Sequence, residues 1–295
     1  MPRPARRAWT ALSLLTLTGC AAPGKPAPEI VGEREVIPSP KKQESRADIR
    51  NPGPDLANFS NSAYTLPQGR AYIEFAPFTY YGAAAATPAQ YNTEYLLRYG
   101  LLDSLEFRIF GNGVTWIGGA QPTWGFSPIA FDAKLNLWLE NRDYFLPAMG
   151  IEAYAQTEWL GSTAFNAGTQ PSISANFDQT LPYEIELEYN IGTTRMLKPS
   201  GQQQWELTFQ WSLQRDLIQD TLAAFVHGYF NNMSLPRAPH GHRDPTQPDH
   251  MPQNAVGLGL LWTLNDRIAM WVQNAIGTTR WTPGLLSTVG VDIAF

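Results

Sequence analysis

From Gly69 to Phe295 the chain alternates apolar and polar positions in segments of about ten residues, and the gaps between them run alternately short and long. In 203–214, Trp205, Leu207, Phe209, Trp211 and Leu213 share one face, and Gln204, Glu206, Thr208, Gln210 and Ser212 share the other. In 183–191, Ile185, Leu187, Tyr189 and Ile191 oppose Glu184, Glu186, Glu188 and Asn190. A period of two places such sets on opposite sides of a sheet. The pattern predicts strands over 69–80, 91–101, 104–112, 129–140, 145–158, 172–178, 183–191, 203–214, 219–231, 253–264, 267–276 and 284–295. Twelve is an even number, as a barrel with both ends on one side requires.

The gaps carry topology. Those at 102–103, 141–143, 179–182, 215–218 and 265–266 are short, and those at 82–90, 113–128, 159–171, 192–202, 232–252 and 277–283 are mostly longer. Short turns belong to the periplasmic side of an outer-membrane barrel and long loops to the outside. With the first strand rising from the periplasm, every short turn and both chain ends fall on the periplasmic side. A soluble sandwich would bury the apolar face against a second sheet. In lipid the sheet instead closes and turns that face outward, because no water satisfies an open edge. Aromatic residues favour the second case. Tyr81, Tyr91, Trp159 and Phe230 fall on the outward face near the long loops, and Tyr99, Phe145, Trp211, Trp262 and Phe295 near the short turns. The expected fold is all-β: a 12-stranded antiparallel transmembrane β-barrel with a disordered N-terminal linker.

Composition agrees. No apolar run of about 18 residues follows the N-terminus, which excludes a helical membrane protein. The mean hydropathy of −0.26 is compatible with a wall in which every second residue meets lipid. The net charge of −5 gives no indication of nucleic-acid binding.

Three segments follow. Residues 1–19 read as a lipoprotein-type signal, with Arg3, Arg6 and Arg7 before the apolar core 8–17. Cys20 is the chain's one cysteine and closes the lipobox-like run Leu17-Thr18-Gly19-Cys20, which makes it the expected lipidation point; a non-lipidated signal cut after Ala21 or Ala22 is the alternative. Residues 20–65 are rich in proline and charge and read as a disordered linker. A spacer is favoured there over a peptidoglycan contact or a plug inside the barrel. Residues 66–295 form the barrel. Without the three signal arginines, 18 basic residues face 26 acidic ones.

The run Asp55-Leu-Ala-Asn-Phe-Ser-Asn-Ser-Ala-Tyr-Thr-Leu-Pro-Gln-Gly-Arg-Ala-Tyr-Ile-Glu74 resembles the approach to the first barrel strand in the "putative MetA-pathway of phenol degradation" family of outer-membrane proteins. The run Leu96-Leu-Arg-Tyr-Gly-Leu-Leu-Asp-Ser-Leu-Glu-Phe-Arg108 is similar to that family's second hairpin, and 289–295 fits its last strand. The resemblance covers about residues 55–295. It implies an outer-membrane barrel that transports small, often aromatic molecules, and it transfers no binding residues.

The expected function is passage of a small-molecule solute across the outer-membrane bilayer. The alternatives are a non-conducting, lipid-anchored surface protein and a membrane hydrolase. The face assignment points Glu74, Glu94, Arg98, Glu106, Arg108, Asp132, Lys134, Glu152, Glu184, Glu186, Glu188 and Glu206 inward, together with Glu140 and Asp292. A basic group turned to lipid at mid-depth costs roughly 2–4 kcal/mol, so these charges line the lumen. Hydration and cross-linking of the inner wall is the favoured role; the alternative is a solute path whose acidic bias raises the local cation concentration. No cofactor and no metal is expected. His240, His242, Asp244, Asp249 and His250 match no zinc spacing and share a proline-rich loop. His227, predicted inward, has no outward serine and amide partners of the kind a barrel lipase uses, so no enzymatic activity is expected. The glycines at 111, 113, 118 and 119 read as turn residues. The pattern carries no information on oligomeric state.

Overall fold

The structure, a computed structural model, describes residues 47–85, 87–165, 168–198, 200–231 and 250–295. The signal segment, Cys20 and the linker as far as residue 46 lie outside the described residues, as do His240, His242, Asp244 and Asp249.

The described residues contain β1 (Ala71–Tyr81), β2 (Gln90–Leu102), β3 (Leu105–Gly111), β4 (Val114–Ile117), β5 (Thr123–Phe126), β6 (Ala130–Trp138), β7 (Ala148–Gln156), β8 (Gln170–Leu181), β9 (Ile185–Leu197), β10 (Gln203–Ile218), β11 (Leu222–Phe230), β12 (Asn254–Asn265), β13 (Ile268–Gly277) and β14 (Leu286–Ala294). The sheet runs β1-β14-β13-β12-β11-β10-β9-β8-β7-β6-β3-β2, and β2 pairs back onto β1. That pairing closes an antiparallel barrel of twelve strands. The remaining two, β4 and β5, form a hairpin within the expected loop 113–128. β4 continues β3 along β2 after one extra residue, since Tyr95 pairs with Gly111 but Asn92 with Thr115. Gly113 takes a φ of 57° at this bulge, and a Cβ there would lie 2.2 Å from the Thr93 carbonyl oxygen, so glycine is required.

The wall alternates as the pattern predicts. On β10, Trp205, Leu207, Phe209 and Leu213 are exposed on the outside, while Thr208, Gln210 and Ser212 are buried on the inside. Phe75, Leu97, Phe107, Ile173, Ile191, Leu258 and Met270 extend the outer apolar surface round the barrel. Two expectations change. Pro77 interrupts the pairing of β1 with both neighbours, and the bulge there resets the phase of the strand. Phe78 and Tyr80 then point out, and Tyr81, expected outside, turns inward to donate to Glu94 Oε1 at 2.8 Å. Glu184, expected on the inner wall, is exposed in the 3-10 turn Pro182–Glu184 with a φ of 57°, because β9 begins only at Ile185.

The larger correction concerns the linker. Residues 47–65, expected to be a disordered spacer, are folded inside the barrel. Ile49, Asp55, Leu56, Ala57, Asn58, Phe59, Ser60, Asn61, Ser62 and Ala63 are all buried. The segment begins at the short-turn end, where Ile49 N donates to Asp266 O at 2.8 Å and Arg50 Nη2 lies 2.8 Å from Asp266 Oδ1. It leaves the lumen at Leu66 and Pro67, which cross Gly100 so closely that a Cβ there would lie 2.2 Å from the Pro67 carbonyl oxygen. Polar chain is stable in this interior because the wall supplies hydrogen-bond partners, and Ile49, Leu56, Phe59 and Leu66 add apolar packing.

Candidate functional site

The plug, residues 47–66, is held strand by strand. Leu56 N donates to Glu74 on β1 at 2.6 Å, and Leu66 N to Glu106 on β3 at 2.7 Å. Asn61 Nδ2 reaches Glu152 on β7 at 2.8 Å, and its backbone exchanges two bonds of 2.7 Å with the side chain of Asn190 on β9. Ser60 Oγ and Asn58 Nδ2 donate to Glu188 Oε2 at 2.9 and 3.2 Å. Asp178 on β8 accepts from Ala63 N and Ser62 Oγ. Asn58 Oδ1 also accepts from Ser60 N at 2.6 Å, an Asx turn that fixes the bend between these contacts.

The charged centre lies where β1, β2, β3, β6 and β7 face the plug. Arg98 and Arg108 are cross-strand partners, an arrangement that repels unless an anion intervenes. Two acids intervene: Glu106 Oε1 of the wall lies 2.6 Å from Arg98 Nε and 3.8 Å from Arg108 Nε, and Asp55 Oδ2 of the plug lies 3.5 Å from Arg98 Nη2, 3.5 Å from Arg108 Nη1 and in direct contact with Lys134 Nζ. Arg98 also pairs with Glu106 at 2.6 Å and Glu74 at 2.9 Å, and donates to the Gly53 carbonyl at 2.8 Å. Arg108 lies 2.9 Å from Glu152 and 3.3 Å from Asp132, yet its Nε and Nη1 have no aligned hydrogen-bond acceptor among the described residues. Lys134, fully buried, has Asp55 as its one carboxylate partner within ion-pair distance among the described residues.

A second contact is aromatic. Phe59 of the plug stacks on His227 with ring centroids 4.1 Å apart and 8° between planes, and meets Tyr229 edge-on at 4.8 Å. Ala255, Ala275 and Leu286 complete this slot. Gly257 lets the imidazole approach the wall, since a Cβ there would be 2.7 Å from His227 Nε2. Leu56 and Ala57 pack on Trp271.

Of the twelve lumen candidates, Glu74, Glu94, Arg98, Glu106, Arg108, Asp132, Lys134 and Glu152 are buried on the inner wall. Glu188 is partly buried beneath the plug, and Glu206, also partly buried, pairs with Lys198. Glu186 is exposed in a vestibule of about 330 Å³ at the short-turn end, together with Glu140, Arg142, Asp216 and Asp220. Outside the strands, hydrogen bonds from Thr180 and Arg142 hold the Glu140 carboxyl below its ordinary range although burial opposes them. Asp48 is likewise lowered: burial opposes, and hydrogen bonds from Arg50 outweigh it. Asp55 and Phe59, the plug's charged and aromatic anchors, are site residues that the alternating pattern does not mark. The run 55–66 carries one acid, Asp55, and two aromatics, Phe59 and Tyr64, among asparagines, serines and small apolar residues.

Residues 55–291 match the family model described as "Putative MetA-pathway of phenol degradation". The chain belongs to this family. Among proteins of curated function none matches it. In solved structures the family's barrel finds a counterpart in an outer membrane channel from Pseudomonas putida F1, with 13% identity and a TM-score of 0.54 over 79% of this chain and 98% of that one. The NanC porin aligns at 8% identity and TM-score 0.44 over 76% and 98% of the two chains, and the CymD monoaromatic hydrocarbon channel at 6% and 0.38 over 78% and 88%. At these identities the likeness to the first is one of fold alone.

Proposed function

We propose that the protein is an outer-membrane channel for small molecules, with the plug as its resting closure. The observation that carries this reading is a closed barrel, apolar outside, whose polar lumen is filled by a separate segment of the same chain. That segment is held by side-chain hydrogen bonds and ion pairs rather than by strand pairing, so it can leave without breaking the wall. The apolar exterior supports insertion in a bilayer. The short connections, Phe295 and the start of the plug share one end, which supports periplasmic termini. Lipidation of Cys20 would tether that end to the inner leaflet, and loss of radiolabelled palmitate from a Cys20→Ala variant would test it.

The slot that receives Phe59 supports ring-bearing solutes among those passed. Solute uptake tests the reading. Liposomes containing the protein should swell in a phenyl glucoside, and faster when residues 47–65 are deleted. Absence of swelling in both, with folded protein, would overturn the channel and favour the surface-protein alternative. The proposal contains no catalytic step. His227 faces the lumen, stacked on Phe59 and away from the outer surface a barrel lipase uses.

A further inference from the structure

Asp55 occupies a site that fits it imperfectly. Three cations converge on a single carboxylate oxygen, Oδ2, while among the described residues Oδ1 accepts only from Ser62 N, at 3.2 Å within the plug itself. Arg108 keeps two buried nitrogens, Nε and Nη1, without an aligned acceptor among the described residues. A guanidinium binds a carboxylate best through two parallel hydrogen bonds, which the short, tethered side chain of Asp55 does not form. Of the neighbouring acids, Glu106 is taken by Arg98 and Leu66 N, and Glu152 by Arg108, Asn61 and Asn176. Asp132 lies 3.3 Å from Arg108 Nε without an aligned hydrogen bond among the described residues, and has no ion pair with Arg98 or Lys134 there. A cavity of about 20 Å³, room for one water, adjoins Asp55 and Arg108, and Gln273 Oε1 on its wall has no hydrogen-bond partner among the described residues.

We propose that the transported solute carries a carboxylate, which Arg98, Arg108 and Lys134 receive in place of Asp55. The plug acid is thus a built-in substitute for the solute, and a soluble carboxylate competes with it and loosens the plug. This rests on the channel reading for its consequence, transport, but the competition itself is measurable without transport.

The probe is benzoate, with benzamide as its neutral counterpart of the same shape. Amide hydrogen exchange of the plug peptide containing Leu56 and Leu66 is followed in the full-length folded protein at constant ionic strength. Benzoate should accelerate exchange by about tenfold or more over benzamide with sodium chloride, the factor that one charge-assisted hydrogen bond commands. Lys134→Met should shrink that difference. Equal exchange in benzoate and benzamide in the wild-type protein overturns the proposal, whether or not the Lys134 variant folds. Benzoate-specific exchange without any solute passage would keep the carboxylate site and overturn the channel. Passage without benzoate-specific exchange would do the reverse.

Discussion

Replacing Asp55 by alanine removes the one anion that Arg98, Arg108 and Lys134 share. In the docked state the three cations then stay buried beneath the plug with one carboxylate fewer. Taking one partner from a buried ion pair costs about 3–5 kcal/mol, because the charge left behind is neither paired nor hydrated. In the undocked state water reaches the triad in wild type and variant alike, so nearly all of this cost falls on the docked state. At about 1.4 kcal/mol per decade, the ratio of docked to undocked plug should fall by roughly 10²–10⁴-fold. The assay is open-state occupancy in a planar bilayer, with circular dichroism confirming an intact sheet. Asp55→Asn should give a smaller shift, since its amide oxygen still accepts. In a Lys134→Met background Asp55→Ala should cost less, the sign of a direct coupling. A folded Asp55→Ala protein that opens no more often than wild type would refute the idea that this contact latches the plug.

Other outcomes follow from the same contacts. Phe59→Ala empties the slot between His227 and Tyr229 and should destabilise plug docking by about 3–5 kcal/mol, read as faster exchange of plug amides. Arg50→Ala should leave occupancy almost unchanged, because the exposed pair with Asp266 contributes roughly 0–1 kcal/mol. Glu186→Gln with Glu188→Gln should shift the reversal potential of the open channel towards anions, and an unchanged potential would show that this pair does not face the ion path. The depressed carboxyls of Asp48 and Glu140 stabilise the fold above the ordinary carboxylate range of about 4 and lose that contribution as pH falls through their lowered values, which NMR titration of the two groups would follow.

The wall was legible because lipid and lumen impose a strict alternation: the apolar set on β10 and the inward charges of β2, β3 and β6 read directly from period two. Three features were not. The bulge at Pro77 flips the phase of β1, so Tyr81 was assigned to the wrong face, although the proline itself was the clue. Glu184 belongs to a turn whose boundary the pattern leaves open by a few residues. The plug has no periodicity, since each contact is a polar group meeting a polar group on a different strand. Composition alone cannot distinguish such a segment from a spacer. Only the run from Asp55 to Leu66, with its acid, its two aromatics and its asparagines, separates it from the prolines before it, and the family match begins at that same Asp55.

The most direct test is single-channel conductance of the full-length chain beside a variant lacking residues 47–65. The account predicts a mostly closed wild-type barrel with rare openings, and a deletion variant that conducts in large, lasting steps. Equal conductance in the two, or silence from a folded deletion variant, would contradict it.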